Sequence, residues 1–257
     1  MDGYIPYCGL PPAPGELALR WTLEPGLLAG LAVALLVGWR VAENRRRMAA
    51  GWALLAVLFV SPLCALSMAL FSARVAQHLA LTLVAAPLIA AALPRAPQLP
   101  LAPVAALFAV LFWTWHAPAP YALTLGSDLA YWAMHLSLFG AALLLWWALA
   151  GAREGRPFAA ILTLAGTAAQ MTLYAVLLVV SPSAWHTVHA EGAALWGLSA
   201  LSDQALAGGA MWVVGAGLMG VAAAALVTLP ALRQTPRAGT PRGPTGLEGY
   251  SRQEPRP

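Results

Sequence analysis

Apolar residues in this chain fall in long runs, separated by short connections rich in Arg, Pro and Gly. A helix that crosses a bilayer needs about 20 mainly apolar residues. Seven stretches meet that need: Trp21–Trp39, Ala49–Phe71, Val75–Leu93, Leu99–Trp115, Leu129–Ala150, Phe158–Val180 and Ala205–Leu229. The pattern predicts an all-α integral membrane protein, a bundle of seven transmembrane helices over residues 21–230. The fourth run begins among Pro94, Pro97, Pro100 and Pro103, which blurs its start. A polar segment, 1–20, precedes the bundle. A Pro/Gly/Arg-rich tail, 231–257, follows it, has no apolar periodicity and is expected to be disordered.

Composition agrees. The chain is 60% hydrophobic and 9% charged, against about a quarter charged in soluble domains. The opening MDGYIPYCGLPPAPGE has neither a basic nor an apolar signal region, so it does not read as a cleavable signal peptide. All 14 basic residues are Arg. With abundant Ala, Gly and Pro, that bias reads as G+C-rich, bacterial coding.

The arginines set an orientation. Arg40, Arg45, Arg46 and Arg47, then Arg95, then Arg153 and Arg156, then five in the tail all fall on one side of the expected spans. Only Arg20 and Arg74 fall opposite. The positive-inside rule places the N-terminus outside and the C-terminus inside. The tail arginines serve as a topology anchor, with anionic membrane lipid as a possible contact.

On this topology all five histidines lie toward the outer side. His78 is about one turn into the third span, His116 closes the fourth, and His135 lies roughly 10 Å deep in the fifth at 1.5 Å per residue. His186 and His189 fall in the loop after the sixth, where a solvated loop role is expected. Ionisable groups inside a membrane bundle are costly and tend to be functional. Arg74, His78 and Thr82 share one helix face, as do Asp128, Tyr131 and His135. Asp203 and Gln204 open the seventh span, with Asp203 placed to act as its N-cap. Soft sulfur is near in Cys64, Met68 and Met134, although packing is the default role for Met134. Imidazole with thiolate and thioether suits copper, Cu(I) especially. Two cysteines, Cys8 and Cys64, are too few for a disulfide framework.

The remaining features are architectural. Pro62 and Pro87 interrupt the second and third spans, and Gly208, Gly209, Gly215, Gly217 and Gly220 mark the seventh as a close-packing helix. Trp21, Trp39, Trp115 and Trp132 fall at expected interfaces. Gln170 and Tyr174 share the one polar face of the sixth span. There is no nucleophile–base pair, phosphate loop or nucleotide motif, so neither an enzyme nor a nucleic-acid partner is indicated.

The segments SPLCALS (Ser61–Ser67), AQHLALTLVAAPL (Ala76–Leu88), WHAPAPY (Trp115–Tyr121), MHLSLFGAALLLWW (Met134–Trp147) and WGLSALSDQALAGGAMW (Trp196–Trp212) occur in that order. Together they resemble the polytopic CtaG-like cytochrome c oxidase assembly factors, the seven-span type associated with caa-three oxidases. The resemblance covers about residues 4–230. It implies an inner-membrane protein that assists oxidase assembly, with oxidase subunits as partners and copper delivery on the outer side. Carried over by motif, the implied residues are Gln77-His78, Trp115-His116-Ala117-Pro118, His135, Asp203-Gln204 and Cys8 in Tyr-Cys-Gly. His78, His116 and His135 are then candidate Cu(I) ligands, with Cys8 as a fourth. Gln77, Asp203, Gln204 and Arg74 are supporting polar residues. Where many members carry a histidine four residues before His78, this chain has Arg74, a fixed cation that opposes a nearby metal.

Three readings follow. In the first, the protein is a copper-linked assembly factor. In the second, it binds haem, with His78 and His135 as the axial pair at similar depth. In the third, it is a metal-free chaperone for oxidase subunits whose histidines and Asp203 form a structural polar network.

Overall fold

The computed structural model describes residues 4–95, 98–152 and 155–234. The expected disordered tail falls almost wholly outside them, except that its first four residues continue the last helix to Gln234. The described residues are helical, with no strand among them.

A short 3-10 turn, Pro14–Leu19, leads to α1 (Pro25–Val41), α2 (Arg45–Val60), α3 (Leu63–Ala69) and α4 (Phe71–Ala80). A π-helical segment, Leu81–Ala85, joins α4 to α5 (Ala86–Ala90). Then come α6 (Leu101–His116), α7 (Pro118–Gly126), α8 (Asp128–Ala152) and α9 (Pro157–Val180). A 3-10 turn, Thr187–His189, precedes α10 (Ala190–Leu195) and α11 (Ala200–Ala210). A second π segment, Met211–Gly215, continues into α12 (Ala216–Gln234).

Four helical rods are long and apolar enough to cross a membrane: Phe71–Ala90, Asp128–Ala152, Pro157–Val180 and Ala200–Ala225. Two more arise if α2 with α3, bent by 50°, and α6 with α7, bent by 70°, each count as one span. The protein is thus multi-pass, with four to six candidate spans where the sequence predicts seven. The difference is α1. Its 17 residues reach about 26 Å, short of a hydrocarbon core of about 30 Å.

Local chemistry explains the breaks. Glu24 caps α1 by accepting from Gly26 N at 2.8 Å and Leu27 N at 2.6 Å, with Pro25 in the first turn. Asn44 caps α2 through Arg47 N. Pro62 breaks α2 from α3 and Pro118 breaks α6 from α7, since each lacks the N–H that would continue the helix. Pro87 does not break its rod, because the π segment just before it absorbs the distortion.

Of the five glycines expected to allow close packing, Gly208 does so most tightly. A Cβ there would stand 2.8 Å from the Ala175 carbonyl, where α11 crosses α9. Gly215 meets Leu79 at ordinary contact, while Gly209, Gly217 and Gly220 face open space within 4 Å. Two glycines outside that set are tighter: Gly192, whose Cβ would lie 2.5 Å from the Ala69 carbonyl, and Gly51 against Ile89.

The two ends of the bundle differ. At one end Arg47 donates to the Ala91 carbonyl and Arg156 to the Leu99 carbonyl. At the other, the N-terminal segment lies across the helix ends. Tyr4 donates to Asp128 at 2.6 Å, Tyr7 stacks on Tyr131, and Trp196 donates to the Pro12 carbonyl. A disulfide between Cys8 and Cys64 fastens this segment to α3. All five histidines stand toward this second end.

Candidate functional site: a buried histidine cluster

His78 on α4, His116 at the end of α6 and His135 on α8 converge in the interior. Each is at most 5% exposed. The His78 ring lies 5.1 Å from that of His135 and 5.7 Å from that of His116, both edge-to-face. Three helices far apart in sequence thus place three imidazoles together.

The backbone fixes two of the tautomers. His116 Nδ1 lies 2.7 Å from the Phe112 carbonyl, and His135 Nδ1 lies 2.8 Å from the Tyr131 carbonyl. A carbonyl oxygen only accepts, so each Nδ1 carries the proton and each Nε2 of the neutral ring is a bare lone pair. Both Nε2 atoms, and that of His78, are buried with no hydrogen-bond partner. A buried polar atom without a partner is rare and expensive. Three on adjoining rings are a donor set without an acceptor. Even so, no three His, Cys, Asp or Glu side chains among the described residues are arranged to hold an ion as they stand.

Arg74, one turn before His78, is wholly buried. Its Nε donates to the Ser67 carbonyl, one terminal nitrogen approaches Met68 Sδ at 3.6 Å, and the other has no partner. Its guanidinium lies 5.2 Å from the Tyr131 ring, which in turn packs on His135 at 4.2 Å. No carboxylate among the described residues pairs with it.

Cys8 was a candidate fourth ligand. Its sulfur is bonded to Cys64, with the Tyr131 hydroxyl 3.3 Å from Cys8 Sγ and 3.6 Å from Cys64 Sγ. A cystine has no thiolate to offer a metal. A single long-range disulfide, rather than a framework, is the use made of the two cysteines.

The supporting polar residues are fasteners. Gln77 donates to the Leu58 carbonyl and ties α4 to α2. Asp203 does not cap its own helix. Ser199 does so, in a capping box with Ser202. Asp203 instead accepts from Phe71 N at 2.6 Å, Ser72 N at 3.1 Å and the Ser72 hydroxyl, and so caps α4 from α11. Gln204 accepts from Trp185 N and donates to the Leu178 and Ser183 carbonyls, which pins the loop after α9.

That loop folds inward, contrary to the solvated role expected for its histidines. His186 is 3% and His189 1% exposed. His189 Nδ1 donates to the Met68 carbonyl and its Nε2 accepts from Tyr121 at 2.7 Å. Tyr174 donates to the His116 carbonyl, so His186 Nε2 donates to the Tyr174 oxygen at 2.9 Å, and His186 Nδ1 is left bare. Gln170, expected on the same polar face as Tyr174, accepts from Trp113. Burial pushes both imidazoles down to about 3, from an ordinary value of 6.5. His116 and His189 add to the effect on His186, and Arg74 adds to that on His189. This inward fold is not legible from residue pattern, because Trp185-His186-Thr187-Val188-His189 follows Ser and Pro and carries no apolar periodicity.

These features define a polytopic helical membrane protein with a buried polar cluster at one end. The chain belongs to the cytochrome c oxidase caa3 assembly factor family (Caa3_CtaG), whose model matches residues 32–230. No curated protein and no solved structure matches it.

Proposed function

We propose that this protein assists cytochrome c oxidase assembly by holding Cu(I) as cargo between His78, His116 and His135 and passing it to an oxidase subunit. The observation that carries the reading is the set of three buried, partnerless Nε2 atoms on adjoining rings. Proton-bearing Nδ1 atoms tied to backbone carbonyls are the arrangement that orients a histidine for a metal. Few ligands leave an open position where an incoming thiolate or imidazole can displace the ion.

We place the histidine end at the outer face of a bacterial inner membrane, in a seven-span bundle with the N-terminus outside. Three features support this: the arginine bias, the Arg47 and Arg156 contacts at the opposite end, and the Cys8–Cys64 disulfide, a bond that persists in oxidising compartments. The seventh span is α1, with a local bilayer adjustment to its short length.

Arg74 favours a second reading, a metal-free chaperone for oxidase subunits, because a buried guanidinium beside the cluster opposes a bound cation. The haem reading fits poorly. The His78 and His135 rings touch edge-to-face at 5.1 Å and leave no slot for a macrocycle.

Metal analysis of the purified protein, with oxidase assembly scored in a deletion strain, separates the readings. Copper near one per chain that is lost in His78→Ala, His116→Ala or His135→Ala, with oxidase copper content falling in parallel, supports delivery. Copper-free protein whose three-histidine variant still restores assembly supports the chaperone.

A further inference from the structure

A narrow cavity, with room for about one water-sized sphere, lies beside the cluster. His78, His116, Thr82, Phe112, Met171 and Met211 are among the residues that line it. We infer that the thioethers of Met171 and Met211 share the fourth ligand position on the Cu(I) held by His78, His116 and His135, the place that Cys8 cannot fill. This rests on the copper reading above and specifies the ligand set.

The chemistry follows from what shares the cavity. Two of the bare Nε2 atoms belong to residues in its wall, and they have no hydrogen-bond partner in the protein. The other lining groups able to donate an electron pair to a soft cation are the two thioethers. Met171 is 5% and Met211 3% exposed, from α9 and from the start of the second π segment. Thioether sulfur prefers Cu(I) and is a poor ligand for Zn(II), whereas imidazoles alone accept both ions. A thioether added to the imidazoles therefore supplies selectivity, and the neutrality of these ligands keeps the ion exchangeable.

The backbone gives an independent indication. Both π-helical segments of the described chain border this cavity, one through Thr82 and the other through Met211. A π turn inserts a residue at some cost in hydrogen-bond geometry, and such turns cluster at functional sites. Methionine is also a common core filler. A volume-conserving change to Leu keeps packing and removes only the sulfur.

The test uses the full-length protein in detergent, loaded with Cu(I) under ascorbate so that the disulfide stays intact. X-ray absorption is expected to show mixed nitrogen and sulfur scattering. In M171L/M211L the sulfur contribution should disappear and Cu(I) affinity, by chelator competition, should fall about tenfold or more. Zn(II) affinity should change by less than about twofold. The single variants M171L and M211L give intermediate losses, and they decide the matter if the double variant fails to fold. Nitrogen-only scattering in the wild type, or sulfur scattering that survives in the variants, overturns the thioether assignment and leaves the copper reading standing. Wild-type protein that takes up no Cu(I) overturns both.

Discussion

Asp203 is the sole buried carboxylate among the described residues, and it is committed to the N-terminus of a neighbouring helix. Charge-assisted bonds from backbone N–H groups are stronger than neutral ones, and an anion there also meets the positive end of the helix dipole. Asp203→Ala should therefore destabilise the protein by about 1–3 kcal/mol, with Asp203→Asn partway, read as a fall in Tm in detergent. His186 and His189 make a second test at this scale. They face Tyr174, Tyr121, His116 and Arg74 from four neighbouring helices. Their folded pKa values lie below that of an exposed imidazole, so between 6.5 and about 3 the unfolded chain binds more protons. Their contribution is present above pH 6.5 and is lost as pH falls toward 3. A His186→Gln, His189→Gln variant should lose less Tm on acidification than wild type, although its Tm at neutral pH is lower.

Elements were legible where apolar length decided them. Each expected span has a helical counterpart, since runs such as Leu129–Ala150 and Phe158–Val180 leave the backbone no other way to satisfy its hydrogen bonds in lipid. Breaks were less legible. Pro62 and Pro87 look alike in sequence, yet one separates two helices and the other follows a π turn inside a continuous rod. That difference depends on neighbouring helices. Close packing was legible at Gly208 and missed at Gly192, because α10 is too short to show a pattern. Gly192→Ala would push a Cβ into the α3 backbone and should cost about 1–3 kcal/mol. Gly209→Ala, with open space around it, should be neutral or raise stability by up to about 1 kcal/mol. Thermal denaturation of the two variants side by side checks the contrast.

At the scale of the whole molecule, the histidine cluster was readable residue by residue, but its two zones were not. Helical spacing put His78 on one face with Arg74 and Thr82, and His135 on one face with Asp128 and Tyr131. No spacing rule could show that the loop after α9 turns inward, or that Cys8 reaches Cys64 across 56 residues. The disulfide closes a loop of that length and should contribute about 4 kcal/mol. A Cys8→Ser, Cys64→Ser variant should show a lower Tm and faster proteolysis of the N-terminal segment, measured against untreated wild type.

The buried Arg74 bears on time as well as on binding. A protein that stores a metal needs a long residence, whereas one that delivers it needs a short one. A fixed positive charge one turn from His78, with no carboxylate among the described residues paired to it, shortens the stay of any cation lodged there. If copper is the cargo, as proposed above, Arg74→His would turn a courier toward a store. Cu(I) dissociation to a competing chelator should slow by about tenfold or more, and oxidase maturation should slow with it, even as the amount of bound copper rises.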